Sequence, residues 1–172
     1  MVNGFCQSLQ DLDNKGGFKE IKLGDLYSKW SAFLTPMTDK GDYNGELYNL
    51  NHSCCDYVFS YKIGSLILEF INNKIIKIYI ALPACGHDGD WKECYDKYND
   101  LVDKFKSLYG KQTSFVPNNN NGNFQTTWRG VTVQLTCDLV GDDPVGQKII
   151  YMTLTDIQSA SSLINNDIKK GF

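Results

Sequence analysis

No stretch of this chain is apolar for long enough to cross a membrane as a helix. Its longest apolar segment, Ser65 to Leu82, is interrupted by Glu69, Asn72, Asn73, Lys74 and Lys77. A helical span needs about 20 consecutive apolar residues. Positive charge is not in excess either: 17 Lys and Arg stand against 20 Asp and Glu, a formal net charge of −3. Proteins that grip a phosphate backbone present a basic footprint, so nucleic acid is not an expected partner. Also missing are a glycine-rich phosphate loop, the sharp turn that carries a hydrolase nucleophile, and a paired-carboxylate signature. Cysteine, at six residues in 172, is too sparse to build a disulfide miniprotein. It is still dense for a reduced cytosolic domain.

The rest of the composition is that of one ordinary globular core. Hydrophobic residues make up 42% and charged residues 22%, and the length suits a single domain. Ten Tyr, nine Phe and three Trp supply aromatics for a core or for a contact surface.

The strongest pattern is Ser65 to Leu82, which reads as a β-hairpin turning at Asn72-Asn73-Lys74. Asn tolerates the positive φ of tight hairpin turns. In the first run Leu66, Leu68 and Phe70 alternate against Ile67, Glu69 and Ile71. In the second, Ile76, Ile78, Ile80 and Leu82 alternate against Ile75, Lys77, Tyr79 and Ala81. Period-2 alternation of this kind describes a sheet with one buried face and one mixed face.

Residues 1–17 read as a flexible lead. Val2 to Gln7 fits equally the tail of an export signal or a plain disordered start. A short strand follows at Phe18 to Leu23, then a helix from Leu26 to Leu34 capped by Asp25 and stopped by Thr35-Pro36. Met37 to Asn51 is polar, with a strand at Glu46 to Leu50, and Cys54 to Lys62 reads as a strand. A second helix runs to Tyr109 with Asp90 and Glu93 as a capping box and Gly110 as its stop. Val116 to Asn123 is a loop. Strands follow at Phe124 to Arg129, Val131 to Leu139 and Lys148 to Thr155, and Asp156 caps a terminal helix through about Ile168.

An internal repeat emerges from this layout. Leu26, Trp30 and Leu34 map onto Leu101, Phe105 and Tyr109 at a shift of 75, and Lys74-Ile75-Ile76 onto Lys148-Ile149-Ile150 at a shift of 74. The expected architecture is α+β: two α-β-β-β units, about residues 18–89 and 90–172, forming one domain of antiparallel sheet with helices packed on one face.

Gly17 to Gly24, Leu108-Tyr109-Gly110-Lys111, Trp128 and the strand Val131 to Leu139 together resemble small exported α+β proteins of Bacteroidetes-type bacteria. That resemblance implies export and no known catalysis. The tandem layout also looks, by topology only, like secreted protein inhibitors of β-lactamase, which implies a sheet used as a binding surface. Neither resemblance carries over a functional residue, and fold analogy does not establish function.

Two sites stand out. The mixed sheet face should carry Ile67, Ile71, Ile75, Tyr79, Thr132, Gln134 and Tyr151. This mixture of aliphatic, aromatic and hydroxyl groups suits contact with another protein. The competing expectation is that Met37 to Asn51 or the N-terminal lead folds over that face. The second site is Cys85, His87 and Cys94, residue types that ligate zinc, with Asp88 or Asp90 as a fourth ligand. Their spacing matches no standard zinc pattern, and the alternative is a Cys85–Cys94 disulfide. His52-Ser53-Cys54-Cys55 adds residue types of a Cys-His hydrolase without its nucleophile turn. The leading expectation is an exported, periplasmic or secreted, non-catalytic protein that binds an unidentified protein partner as an inhibitor or immunity factor and uses no cofactor. The alternatives are a metal- or thiol-dependent function centred on Cys85, His87 and Cys94, and a cytoplasmic location.

Overall fold

The computed structural model describes residues 9–86, 91–118, 123–142 and 147–170, with the side chains of 118, 142 and 164–170 excepted. Its elements in chain order begin with α1 (Leu9–Lys15), β1 (Gly17–Phe18), β2 (Ile21–Lys22) and α2 (Tyr27–Trp30). Next come β3 (Leu34–Lys40), β4 (Glu46–Leu50), β5 (Tyr57–Val58), β6 (Tyr61–Lys62), β7 (Ser65–Ile71) and β8 (Lys74–Ala81). The second half contains α3 (Lys92–Tyr109), β9 (Ser114–Asn118), β10 (Asn123–Arg129), β11 (Val133–Asp142), β12 (Gln147–Asp156) and α4 (Ile157–Lys170).

Eight strands form one antiparallel sheet in the order β3-β4-β7-β8-β12-β11-β10-β9. The α+β class and the antiparallel sheet are those expected from the alternation. Each half contributes four strands, those of the first half interrupted by the separate β5–β6 hairpin, and the halves meet where the last strand of one, β8, pairs with the last strand of the other, β12. The strand that each half adds to the expected three lies at a sheet edge. Both edge strands contain proline, Pro36 in β3 and Pro117 in β9. Proline cannot donate to a ladder and is tolerated only at edges, where it also discourages pairing with other chains. The same prolines make these segments read as breaks in the sequence.

The β7–β8 hairpin turns through Asn72 and Asn73, at φ 51° and 63°, as the Asn pair predicts. Past the turn the register breaks. Phe70 pairs with Ile75 and Glu69 with Lys77, so Ile76 is an extra residue on β8. This bulge reverses the expected facing of Ile75. It lies fully buried in the core cluster with Phe70, Ile78 and Ile80, not on the mixed face.

One sheet face is covered by α1, α2 and α3. α3 buries Cys94, Tyr98, Leu101, Val102, Phe105 and Tyr109, recurring at the three- and four-residue spacing of one helix stripe. Tyr98 shares a hydrogen bond with Thr126 (2.7 Å), and the Trp128 indole donates to the Gly110 carbonyl (3.0 Å), so both strand polar atoms beneath the helix are satisfied. Gly110 ends α3 at φ 78°, its N–H donating to the Lys106 carbonyl. Asp90, the expected cap of this helix, lies outside the described residues.

Four further expectations are corrected. Residues 9–17 are not a loose lead: Leu12 on α1 is fully buried in the core. The helix expected over Leu26 to Leu34 is one α turn followed by a 3₁₀ turn at Ser31–Phe33, and Leu34 already belongs to β3. Cys54 to Lys62 is not one strand but a 3₁₀ turn at Ser53–Cys55 and the small β5–β6 hairpin. His52 Nδ1 accepts the Cys54 N–H (3.1 Å) and bends the chain there. Finally, the loop expected from Val116 onward begins inside β9.

Candidate binding face

Strand register aligns the sheet's other face into three cross-strand rows. The first runs Gln125, Asp138, Tyr151, Ala81; the second Thr127, Thr136, Thr153, Tyr79, Ile67; the third Arg129, Gln134, Thr155, Lys77, Glu69. Short threonines occupy the middle strands β11 and β12. Longer side chains stand on either side of them: Gln125 and Arg129 from β10, Lys77 and Tyr79 from β8. The result is a trough of about 470 Å³ with a hydroxyl floor. Its end is bounded by Ile157, Ala160 and Ser161 at the start of α4. Asp156 caps that helix, accepting the Gln158 and Ser159 N–H groups (both 3.0 Å), and so sets its departure on this side of the sheet.

The β8 wall is built around a buried carboxylate. Glu69 is 0% exposed. It accepts the N–H of Tyr43 (3.0 Å), the N–H of Gly45 (3.3 Å) and the Tyr79 hydroxyl (2.8 Å). Gly41 and Gly45 are the residues that allow this wrap, since a Cβ on either would stand 2.1 Å and 2.6 Å from Glu69 side-chain atoms. The 41–45 turn thus closes over Glu69, and its Asp42 pairs with Lys77. Part of the Met37 to Asn51 segment therefore covers one side of the mixed face, and in the floor beside it Thr136 and Thr155 are buried and Thr153 is half-buried. Burial, the Glu69 hydrogen bond and the charges of Glu69 and Asp42 push the Tyr79 phenol far up, so it remains a donor. On the trough's far side burial raises the Asp138 carboxyl above its ordinary value, against the hydrogen bond from Gln125 (2.7 Å).

Several of the expected face residues are together here. Ile67, Tyr79, Gln134 and Tyr151 lie on this face, with Gln134 in the trough and Tyr151 37% exposed beside it. Ile71 lies at the hairpin end, lining a separate cleft with Leu163 of α4. Ile75 is in the core, as described. Thr132 is not presented either. It precedes β11, and its N–H and hydroxyl both bind Asp13 of α1 (2.9 Å each). Asp13 also accepts the N–H of Val131 and of Val133 (2.8 Å each). Burial pushes this carboxyl up, but the four donors outweigh it and hold the group below its ordinary value.

Sequence reasoning missed Arg129, Gln125, Asp42 and Tyr43. Alternation along β10 carried the signal for the first two. Nothing local marks the 41–45 turn as a cover for Glu69.

At the cysteine site, the Cys85 and Cys94 sulfurs are 2.25 Å apart, at disulfide distance, tying the strand end after β8 to the first turn of α3. His87, Asp88 and Asp90 lie outside the described residues. Sulfurs joined in a disulfide are not the thiolates that a metal takes. Among the described residues no group of three His, Cys, Asp or Glu side chains is placed to hold a metal ion. Cys54 and Cys55 form a second pair at disulfide distance, 2.21 Å. Cys137 is buried and free, and burial pushes its thiol far up, away from reactive thiolate. Among the described residues no helix is long and apolar enough to cross a membrane.

Comparison of the chain with protein-family models, with curated proteins and with solved structures finds no match in any of the three.

Proposed function

We propose that this is a non-catalytic, exported binding protein of inhibitor or immunity type, which engages a protein partner through the polar face of its sheet. The observation that carries this reading is the trough itself: a face with a hydroxyl floor and aromatic, amide and charged walls, on a sheet whose opposite face is sealed by helices. Such a mixture resembles the composition of protein contact surfaces. Two cysteine pairs at disulfide distance support export, because disulfides persist in oxidising compartments. The repeat supports the same reading. A shift of 74 carries Tyr79 onto Thr153, and these two residues are register partners in the middle of the face. The two halves then share one continuous surface centred on that pair.

Photo-reactive residues placed at Tyr151 and Gln134, and at Lys106 on the outer side of α3, test the reading in fractionated cells that make the protein. The expected result is one protein cross-linked from both face positions, outside the cytoplasm, and none from Lys106. Equal capture from both sides, or none from the face, overturns the reading. A complex found in the cytosolic fraction overturns export.

A further inference from the structure

Arg129 is the only arginine in the sequence; every other cationic residue counted with it is lysine. The two are not interchangeable. Lysine is a point charge on a flexible stem, whereas guanidinium is a planar fork that matches a carboxylate with two parallel hydrogen bonds. The fork is in the trough. Arg129 ends β10, is exposed, and donates from Nη1 to Oε1 of its register partner Gln134 (2.9 Å). That bond orients the guanidinium and uses one donor.

The other charges of the trough are already engaged. Lys77 pairs with Asp42 and stands over the rings of Tyr43 (5.6 Å) and Tyr79 (4.8 Å). Asp138 accepts from Gln125. Among the described residues no carboxylate forms an ion pair with Arg129. Three strand spacings separate β10 from β8, roughly 14 Å at about 4.8 Å each. That width admits one polypeptide segment.

We propose that Arg129 is the anchor for an Asp or Glu side chain carried on a loop of the protein partner, which enters the trough over the floor of Thr136, Thr153 and Thr155. This rests on the polar face being the partner-binding surface, and names the chemistry that the partner must bring. Charge complementarity selects the occupant: among the described residues Arg129 is the trough cation without a carboxylate partner, since Lys77 is taken by Asp42.

A chain with one arginine gives one arginine Nε–Hε signal in its ¹⁵N spectrum. That signal is followed while acetyl-Gly-Asp-Gly-amide is added, and in parallel acetyl-Gly-Asn-Gly-amide. The expected result is a saturable shift of the Arg129 signal and of the Thr136 and Thr153 amides with the aspartyl peptide alone. Arg129→Lys, which keeps the charge but not the fork, weakens binding by about tenfold or more, and Arg129→Gln abolishes it. Equal shifts from both peptides, or unchanged binding to Arg129→Lys, overturn the proposal. A partner cross-linked through Tyr151 whose affinity is untouched by Arg129→Gln overturns the proposal and leaves the binding face standing. An aspartyl peptide held at Arg129 with no partner cross-linked from the face supports the proposal and overturns the wider reading.

Discussion

The two faces of the sheet are made by the same strands and differ in almost every other respect. On the helix side Ile78, Ile80, Leu135, Cys137, Met152 and Leu154 are buried together. Each large aliphatic side chain there contributes about 1.5–3 kcal/mol by leaving water. On the other side the floor is threonine and the walls are polar, and the buried side chains, Lys77, Thr127, Thr136 and Thr155 among them, are polar too. The apolar face therefore supplies most of the stability. The exception is Glu69, a fully buried carboxylate on the polar side.

Three substitutions sharpen this contrast. Ile78→Ala, on the apolar face beneath the helices, is expected to cost about 2–5 kcal/mol, read as a fall in the urea midpoint. A cost near zero would end the claim that this face carries the stability. Glu69→Ala leaves the Tyr43 and Gly45 N–H groups and the Tyr79 hydroxyl without their acceptor. The expected cost is about 1–3 kcal/mol, with faster amide exchange confined to the 41–45 turn. If the turn exchanged as in the native protein, the polar wall would not depend on Glu69.

The smallest effect has the opposite sign. The folded Asp138 carboxyl titrates above its ordinary value of 3.8 because it is buried. Below the unfolded value both states are protonated and the group is neutral to stability. As pH rises through that value the unfolded chain releases its proton first, so stability falls until the folded group ionises too. Asp138→Asn should accordingly melt higher than the native protein at pH 7, and the difference should vanish near pH 3. A lower melting temperature at pH 7 would show that the trough favours the charge.

The clearest alternation was legible in most of its length: Val133, Leu135, Cys137 and Leu139 face the core along β11, whereas Val131, expected inward with them, precedes the strand and is 78% exposed. The Asn72-Asn73 turn and the Gly110 stop were legible for the same reason, since both are local consequences of backbone conformation. Reading failed where one residue changes parity or where partners are distant. The bulge at Ile76 moves Ile75 into the core, although its neighbours in sequence look alike. Thr132 continues the alternation of β11 on paper, but Asp13, far away in sequence, claims it. α1 spans seven residues, too few to display a helical period, and Leu12 is buried only because α3 and β11 stand around it. Of the trough, Tyr79 and Gln134 could be read from alternation, whereas their common setting with Arg129 depends on register across four strands.

Sequence alone determined that the chain makes amphipathic strands with one apolar face and helices to cover it, because side-chain direction alternates along a strand and repeats around a helix. Only the tertiary structure decided that β8 lies against β12, that the 41–45 turn closes on Glu69, and that the one arginine stands over a threonine floor. Periodicity acts between near neighbours in the chain. Strand order and register are chosen by burying faces that the chain brings together from far apart.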